Sequence, residues 1–289
     1  MFKHLIKAMR VRQWHKNGFV FFGLIFDQQL FQRDPFIRNL EGFLLFCLIS
    51  SSVYLFNDIA DIDADRKHPE KKHRPLASGK LPVNIGLTAA FILAFAALIL
   101  GYLLEPSFAG IVALYFVINL LYSRWLKHVS ILDVLIISSG FVLRVMAGVT
   151  LITVERFSPW LYVITTLFSL FIGFGKRRAE MSLLEKGAGS HRKVLDGYTI
   201  PLLDQYITIV SGMTIVTYAL YTFFAENLPN NHSMMLTIPF VVYGIFRYLQ
   251  LIQTGHAAGA PDEVALKDRP LQITVLLWGL AVIAVFYLS

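Results

Sequence analysis

NDIADIDADRKHPEKKHRPLASG, residues 57–79, follows directly on an apolar run that opens near residue 40, and its reading decides how the chain is folded. Four aspartates (Asp58, Asp61, Asp63 and Asp65) lie within residues 57–65. Basic residues follow almost without a break: Arg66, Lys67, Lys71, Lys72, Arg74 and, just beyond, Lys80. Hydrocarbon rejects carboxylates, so an acidic cluster at the end of a membrane helix needs a reason. One reading is a solvated loop carrying positive-inside charge. The other is a divalent-metal site that holds a phosphorylated substrate.

Composition supports the membrane. Of 289 residues 56% are hydrophobic and only 16% charged, with a mean hydropathy of +0.59. A soluble chain of this length needs far more polar surface. The net charge of +7 is no sign of nucleic acid, because the basic residues lie beside apolar spans. Cys47 is the only cysteine, so no intramolecular disulfide forms. The first 17 residues are interrupted by charge and hold no compact apolar core, so no cleavable signal peptide is expected.

Apolar segments recur at about 17–30, 40–56, 83–104, 108–122, 131–154, 160–175, 203–224, 234–251 and 271–288. That is nine, most of them near the ~20 residues that cross a bilayer, and the first and fourth are the shortest. Backbone groups in lipid must be satisfied internally, so the spans are helices. The expectation is an all-α membrane protein with nine transmembrane helices, forming one domain over residues 1–289. Residues 1–16 set Lys3, Lys7, Arg10, Arg12 and Lys16 among Phe2, Leu5, Ile6, Met9 and Trp14, a pattern suited to an amphipathic helix on an anionic leaflet.

Orientation follows from the basic residues. With a cytoplasmic N-terminus, that side collects the N-terminal five, the 66–80 group, Arg124, Lys127, Lys176, Arg177, Arg178, Lys186, Arg192, Lys193, Lys267 and Arg269. The other side keeps only Arg33, Arg38 and Arg156. The positive-inside rule therefore puts the N-terminus and the long loops (58–82, 176–202 and the shorter 253–270) in the cytoplasm, and the C-terminus outside. The setting is a plasma or inner membrane crossed many times.

If the helix of the second segment continues to Asp65, then Asp58, Asp61 and Asp65 fall within about 60° of one another and Asp63 points elsewhere. Three carboxylates on one face repel each other unless a cation sits there. Mg²⁺ suits this set, since it takes oxygen ligands and bridges carboxylates to substrate phosphates. Asn57 can add an amide oxygen or orient Asp61. No His or Cys stands at zinc spacing.

NDxxDxxxD, here Asn57, Asp58, Asp61 and Asp65, resembles the first aspartate-rich motif of the UbiA superfamily of intramembrane transferases. Further stretches resemble the branch that transfers phosphoribose to decaprenyl phosphate: RxRQWxKN (10–17), DADRxHPxKxxRPxASG (63–79), YSxxLKH (122–128), GKRxAE (175–180) and KDRPLQ (267–272). The resemblance covers nearly the whole chain. It implies a helical bundle with an active-site cavity open to the cytoplasm.

Superfamily members that use a prenyl diphosphate donor usually carry a second motif, DxxxD, at the end of the sixth span. This sequence has GKRRAEMSLLE there, with Lys176, Arg177 and Arg178 ahead of Glu180 and Glu185. Lys176 and Glu180 share a face at i,i+4. A wall that is mostly basic argues against a second metal and for direct contact with phosphate oxygens. The resemblance implies phosphoribosyl diphosphate as donor and a polyprenyl phosphate as acceptor, in the making of a precursor of cell-wall arabinose. The lipid phosphate, already an anion, needs positioning more than a general base. Lys16, Arg66, Arg74, Lys127, Lys176, Arg177 and Arg178 are the candidate phosphate ligands.

Within the membrane, Asp133 and Arg144 stand eleven residues apart on one helix, close to one face, with Gly140 and Gly148 near the same stripe. Arg144 is expected to pair with an acid from another helix or to touch substrate, and Asp133 to be structural. Tyr122 and Tyr198 near loop ends are candidates for sugar contact or for interfacial anchoring. Asp268 and Arg269 either close over the donor or cap a helix. Two other functions compete: an aromatic prenyltransferase of quinone or haem synthesis, disfavoured by the missing DxxxD, and an ion-coupled transporter. Transporters place coupling residues near midplane on broken helices, whereas these acids sit at a helix end. Sequence leaves open whether the chain forms homo-oligomers.

Overall fold

A computed structural model describes residues 1–68, 71–154, 159–185, 193–254 and 267–288, and among these every regular element is a helix. Arg156, Lys186 and Arg192, and most of the 253–270 connection, lie outside the described residues. The α-helices are α1 (Phe2–Ala8), α2 (Phe22–Phe26), α3 (Arg33–Ala60), α4 (Ile62–Lys67), α5 (Val83–Leu104), α6 (Pro106–Arg124), α7 (Leu132–Val149), α8 (Pro159–Glu185), α9 (Ile200–Phe224), α10 (Ile238–Gln253) and α11 (Arg269–Leu288). Eight helical stretches among the described residues are long and apolar enough to cross a membrane. The expected first span is not among them.

That first segment is a 3₁₀ helix, Val11–Phe21, running into the short α2. It lies antiparallel along α3: Gln13 meets Tyr54, Trp14 donates to Ser51, Asn17 to Ser50, and Phe21 packs on Phe43 and Phe36. Fourteen residues rich in Phe read as a short span in sequence. A run of 3₁₀ helix this long is uncommon and is held by its neighbours rather than by its own hydrogen bonds.

The chain divides into two compact units, residues 1–128 with 140–155, and residues 129–139 with 156–289. In the first, α5 presents Gly86, Ala90, Ala94, Ala97 and Gly101 as a buried stripe. Small residues let backbones approach, and the Ser52 hydroxyl of α3 reaches the Ala90 carbonyl at 2.8 Å. The opposite face of α5, with Phe91, Ile92, Phe95, Ile99 and Leu103, is exposed and suited to lipid. Val20, Phe46, Ile49, Phe108, Val112 and Ala147 form the core of this unit. α6 opens with Pro106 after an extended Glu105, the backbone that a following proline favours.

Gly148 on α7 faces the 3₁₀ segment, and an added Cβ would overlap the Val20 carbonyl oxygen. Gly148→Ala is therefore expected to destabilise the protein by about 1–3 kcal/mol through overpacking. A thermal midpoint equal to wild type would show that the segment is not seated on α7.

In the second unit α8, α9, α10 and α11 enclose Phe171, Val134, Leu203, Ile207, Tyr248 and Ile252. Thr199 caps α9 by accepting from the Leu202 N–H. The Tyr218 hydroxyl binds Thr237 and accepts from the Trp278 indole at 2.8 Å, tying α9 to α11. α8 continues to Glu185, so the charged stretch from Lys176 is the end of a helix and not the opening of a loop.

Candidate active site

The aspartate stretch begins on α3 and breaks where the sequence suggested a continuous helix. α3 ends at Ala60, and Asp61 adopts φ −99°, ψ 7° before α4 resumes. The break is slight: the Asp61 N–H still reaches the Asn57 carbonyl at 3.0 Å, and the Asp65 N–H the Asp61 carbonyl at 2.8 Å. Asp58 and Asp65, seven residues apart, remain on one side and are both buried. Asp63 projects outward with its side chain 92% exposed, 3.6 Å from Arg66.

Each of the other three carboxylates meets a cation. Arg10 Nη2 donates to Asp58 Oδ1 at 2.5 Å. Arg74 Nη1 donates to the same oxygen at 3.1 Å and to Asp65 Oδ2 at 2.7 Å. Lys127 Nζ donates to Asp61 Oδ1 at 2.6 Å, a partner that Asp58 and Asp65 do not share. Among the described residues no three carboxylate or imidazole groups converge as a ready-made metal cluster. The expected trio is thus a pair plus one.

The donor set still fits a hard divalent ion. A single nitrogen of Arg74 bridges Asp58 and Asp65, so a positive centre already stands between two carboxylate oxygens. Oxygen-only ligands at such a bridge suit Mg²⁺. Asn57 is half-buried one residue before Asp58, and its amide makes no hydrogen bond among the described residues. Arg66 donates its Nε to the Ala77 carbonyl at 3.2 Å, bracing the loop that carries Arg74. Lys16 on the 3₁₀ segment and Tyr122 at the end of α6 are half-buried.

Arg10 is the residue that sequence reasoning missed. In sequence it reads as surface charge of an amphipathic segment and as the first residue of the RxRQWxKN stretch. Its backbone is left-handed (φ 53°, ψ 46°), and its guanidinium lies 4.6 Å from the centre of the Tyr54 ring. A non-glycine residue there costs of order 1 kcal/mol and persists only where its surroundings hold it.

Arg144 overturns one expectation. It pairs with no acid among the described residues. Its Nε donates to Asn17 Oδ1 at 2.8 Å, Nη1 to the Gly140 carbonyl at 2.6 Å and Nη2 to the Tyr115 hydroxyl at 3.0 Å. The rings of Phe46, Tyr115 and Phe141 surround the guanidinium. Arg144 therefore holds Asn17, and with it the 3₁₀ segment, inside the first unit.

In the second unit Arg177 is buried, its side chain 2% exposed, and spent on two acids. Its Nε donates to Asp133 Oδ2 at 2.6 Å and its Nη1 to Glu180 Oε2 at 2.6 Å. The Tyr198 hydroxyl donates to Asp133 Oδ1 at 2.8 Å while accepting the Ile131 N–H. Burial, reinforced by Asp133, pushes that hydroxyl above the usual tyrosine range, so it stays protonated and keeps donating. Arg177 and Tyr198 thus leave the expected phosphate and sugar contacts for a structural network. Arg178 meets Asp204 at 2.7 Å, and Lys176 is half-buried on the same helix.

Arg247 forks onto Asp268 at 3.2 and 2.7 Å, and Asp268 Oδ1 accepts the Leu271 N–H at 2.9 Å. Asp268 is a helix cap, with Arg269 exposed as the first residue of α11. The hydrogen bonds from Arg247 hold the Asp268 carboxyl below the usual carboxylate range. The stabilisation from this contact is full above the unfolded-state pKa of about 4 and is lost as pH falls through the lowered folded value. The thermal midpoints of wild type and Arg247→Met are therefore expected to differ at neutral pH and to converge on acidification. A gap that persists in acid would refute this.

Eight helical stretches of membrane length among the described residues, one of them ending in an aspartate pair bridged by an arginine, mark a multi-pass membrane protein. Residues 20–262 match the UbiA prenyltransferase family, and the chain belongs to that family. It is 36% identical to the decaprenyl-phosphate phosphoribosyltransferase of Mycolicibacterium smegmatis over 99% of this chain and 93% of that protein. It is 34% identical to the protein of the same name in Corynebacterium glutamicum over 98% and 87%. Its fold is similar to that of a UbiA homolog from Archaeoglobus fulgidus bound to GPP and Mg²⁺, with a TM-score of 0.70, 17% identity, and coverage of 96% and 99%.

Proposed function

We propose that the chain transfers a 5-phosphoribosyl group from phosphoribosyl diphosphate to a polyprenyl phosphate and releases pyrophosphate. The observation that carries this reading is the pair Asp58 and Asp65 bridged by Arg74, with Arg10 on Asp58 and Lys127 on Asp61. Carboxylates that gather basic partners at a helix end suit a cation and a polyphosphate together. The relatives, named decaprenyl-phosphate phosphoribosyltransferases, support the acceptor and the transferred group.

Asp58 and Asp65, with Asp61 and Asn57 beside them, would hold Mg²⁺. The ion, once bound, neutralises charge on the departing diphosphate. The chain itself orients the two substrates. Arg74 and Lys127 contact the aspartates and would grip the donor diphosphate, and Arg66, next in sequence to Asp65, is a further candidate. In the first unit Lys16 remains a candidate for further phosphate oxygens and Tyr122 for the ribose; in the second, Lys176 and Arg269 are candidate phosphate contacts, while Arg178 is held by Asp204 and the Ile252 carbonyl. Arg177, Glu180 and Arg144 are better read as supports, since neighbours already occupy them.

In the reaction an oxygen of the lipid phosphate bonds to the anomeric carbon as the bond from that carbon to the diphosphate breaks. The electron pair leaves with pyrophosphate. The attacking phosphate is already an anion, so no proton need be removed, and alignment supplies most of the acceleration. This agrees with a site whose flanking groups are cations and carboxylates. The basic loops face the cytoplasm in this reading, where a soluble sugar phosphate is available, and the protein sits in a plasma or inner membrane.

The second reading within the family is transfer of a prenyl group to an aromatic acceptor. The family description and the GPP-bound fold neighbour favour it. The stretch 175–180, GKRRAE, speaks against it, having no DxxxD. The test is mass spectrometry of the lipid formed by purified protein with Mg²⁺, polyprenyl phosphate and phosphoribosyl diphosphate. A polyprenylphosphoryl phosphoribose is expected, and failure to form it under conditions where the protein is folded overturns the proposal.

A further inference from the structure

Two guanidinium groups crowd one oxygen of Asp58, whose side chain is 3% exposed. Asp58 and Asp65 carry two negative charges, and Arg10 and Arg74 carry two positive ones. The four groups together are neutral. Adding a divalent cation would give the cluster a net charge of +2 around the buried Asp58, a like-charge repulsion that weakens ion binding. Either a guanidinium leaves or an anion arrives.

The two arginines differ in how they are held. Arg74 is tied to both carboxylates and keeps Asp65 if Asp58 is taken. Arg10 has Asp58 as its carboxylate partner and comes from a separate N-terminal segment, at a residue with left-handed backbone. The guanidinium lies over the Tyr54 ring while it is bonded to Asp58, so losing the Asp58 contact leaves it the cation–π contact.

We propose that Arg10 competes with the divalent cation for Asp58 and so couples cation binding to donor binding. With no donor present, Arg10 occupies Asp58 and weakens its hold on the ion. When a diphosphate arrives, its charge offsets both the ion and the displaced guanidinium, and the two ligands bind together. Arg10 is in this sense a positioning residue acting through Asp58. The inference rests on the aspartate-held cation argued above.

The experiment is calorimetric titration of Mn²⁺ into the full chain in detergent, with and without inorganic pyrophosphate, for wild type, Arg10→Gln, Arg10→Lys and Asp58→Asn. Arg10→Gln is expected to bind Mn²⁺ alone about tenfold more tightly than wild type, within the usual range of coupling between sites. Pyrophosphate is expected to tighten Mn²⁺ binding strongly in wild type and little in Arg10→Gln, with Arg10→Lys in between. A merely structural arginine would move the affinity the other way. Equal or weaker Mn²⁺ binding by folded Arg10→Gln overturns the inference and leaves the aspartate site standing. Wild-type Mn²⁺ affinity in Asp58→Asn overturns the aspartate site itself, and the inference with it.

Discussion

Asp58→Asn is expected to lower pyrophosphate release by about a thousandfold while leaving the protein folded. The rate falls because a cation held between carboxylates and the leaving group contributes several kcal/mol to the transition state, and about 4 kcal/mol corresponds to that factor. The fold survives because the partners left behind are not sealed in. Arg10 and Arg74 are 22% and 26% exposed, and Arg74 keeps its bond to Asp65. Removing one member of a buried pair is severe only when the survivor has no water and no second partner. Initial rates read beside a thermal midpoint check both halves. A folded variant with near-normal turnover would remove Asp58 from the chemistry.

Arg177→Met is expected to do the opposite kind of damage, with stability lost first. Its partner Asp133 is fully buried, and the variant leaves that carboxylate with only Tyr198 as donor among the described residues. An uncompensated charge of this kind costs about 3–5 kcal/mol. Arg178→Met, one residue on, is the control: its partner Asp204 is 37% exposed, so about 1 kcal/mol or less is expected. Denaturation midpoints of the two variants in one detergent make the comparison. Equal losses would contradict the buried network, and Arg177→Met with Asp133→Leu should recover part of the stability that Arg177→Met loses alone.

The residues explain which parts of this were legible in sequence. Asp58 and Asp65 could be paired by period alone, because seven residues return a helix to the same side. The pairing of Asp61 with Lys127 could not, since the partner stands 66 residues away and no local signal joins them. Arg177 reads as a phosphate ligand when seen with Lys176 and Arg178. Its burial depends on Asp133, 44 residues earlier, and on Tyr198 beyond it. Charge type was visible from the string, and the distinction between a paired and an available charge was not.

The first apolar segment teaches a related point. Hydropathy found the run of phenylalanines but could not tell a spanning α-helix from a 3₁₀ strand of chain seated on α3. Asn17 was the available hint, a polar residue at the start of an apolar run, and its partners Arg144, Cys47 and Ser50 became evident only in the fold. Arg10 was overlooked for the same reason. A left-handed turn aims it at Asp58, and nothing in its neighbours announces that turn.

A sugar-phosphate donor sets this reading apart from prenyl transfer within the family. The most direct measurement offers the purified protein, with Mg²⁺, two substrate pairs in parallel: phosphoribosyl diphosphate with polyprenyl phosphate, and a prenyl diphosphate with an aromatic acid. Pyrophosphate released with the first pair and absent with the second is the predicted result. Pyrophosphate released only with the second pair would contradict it.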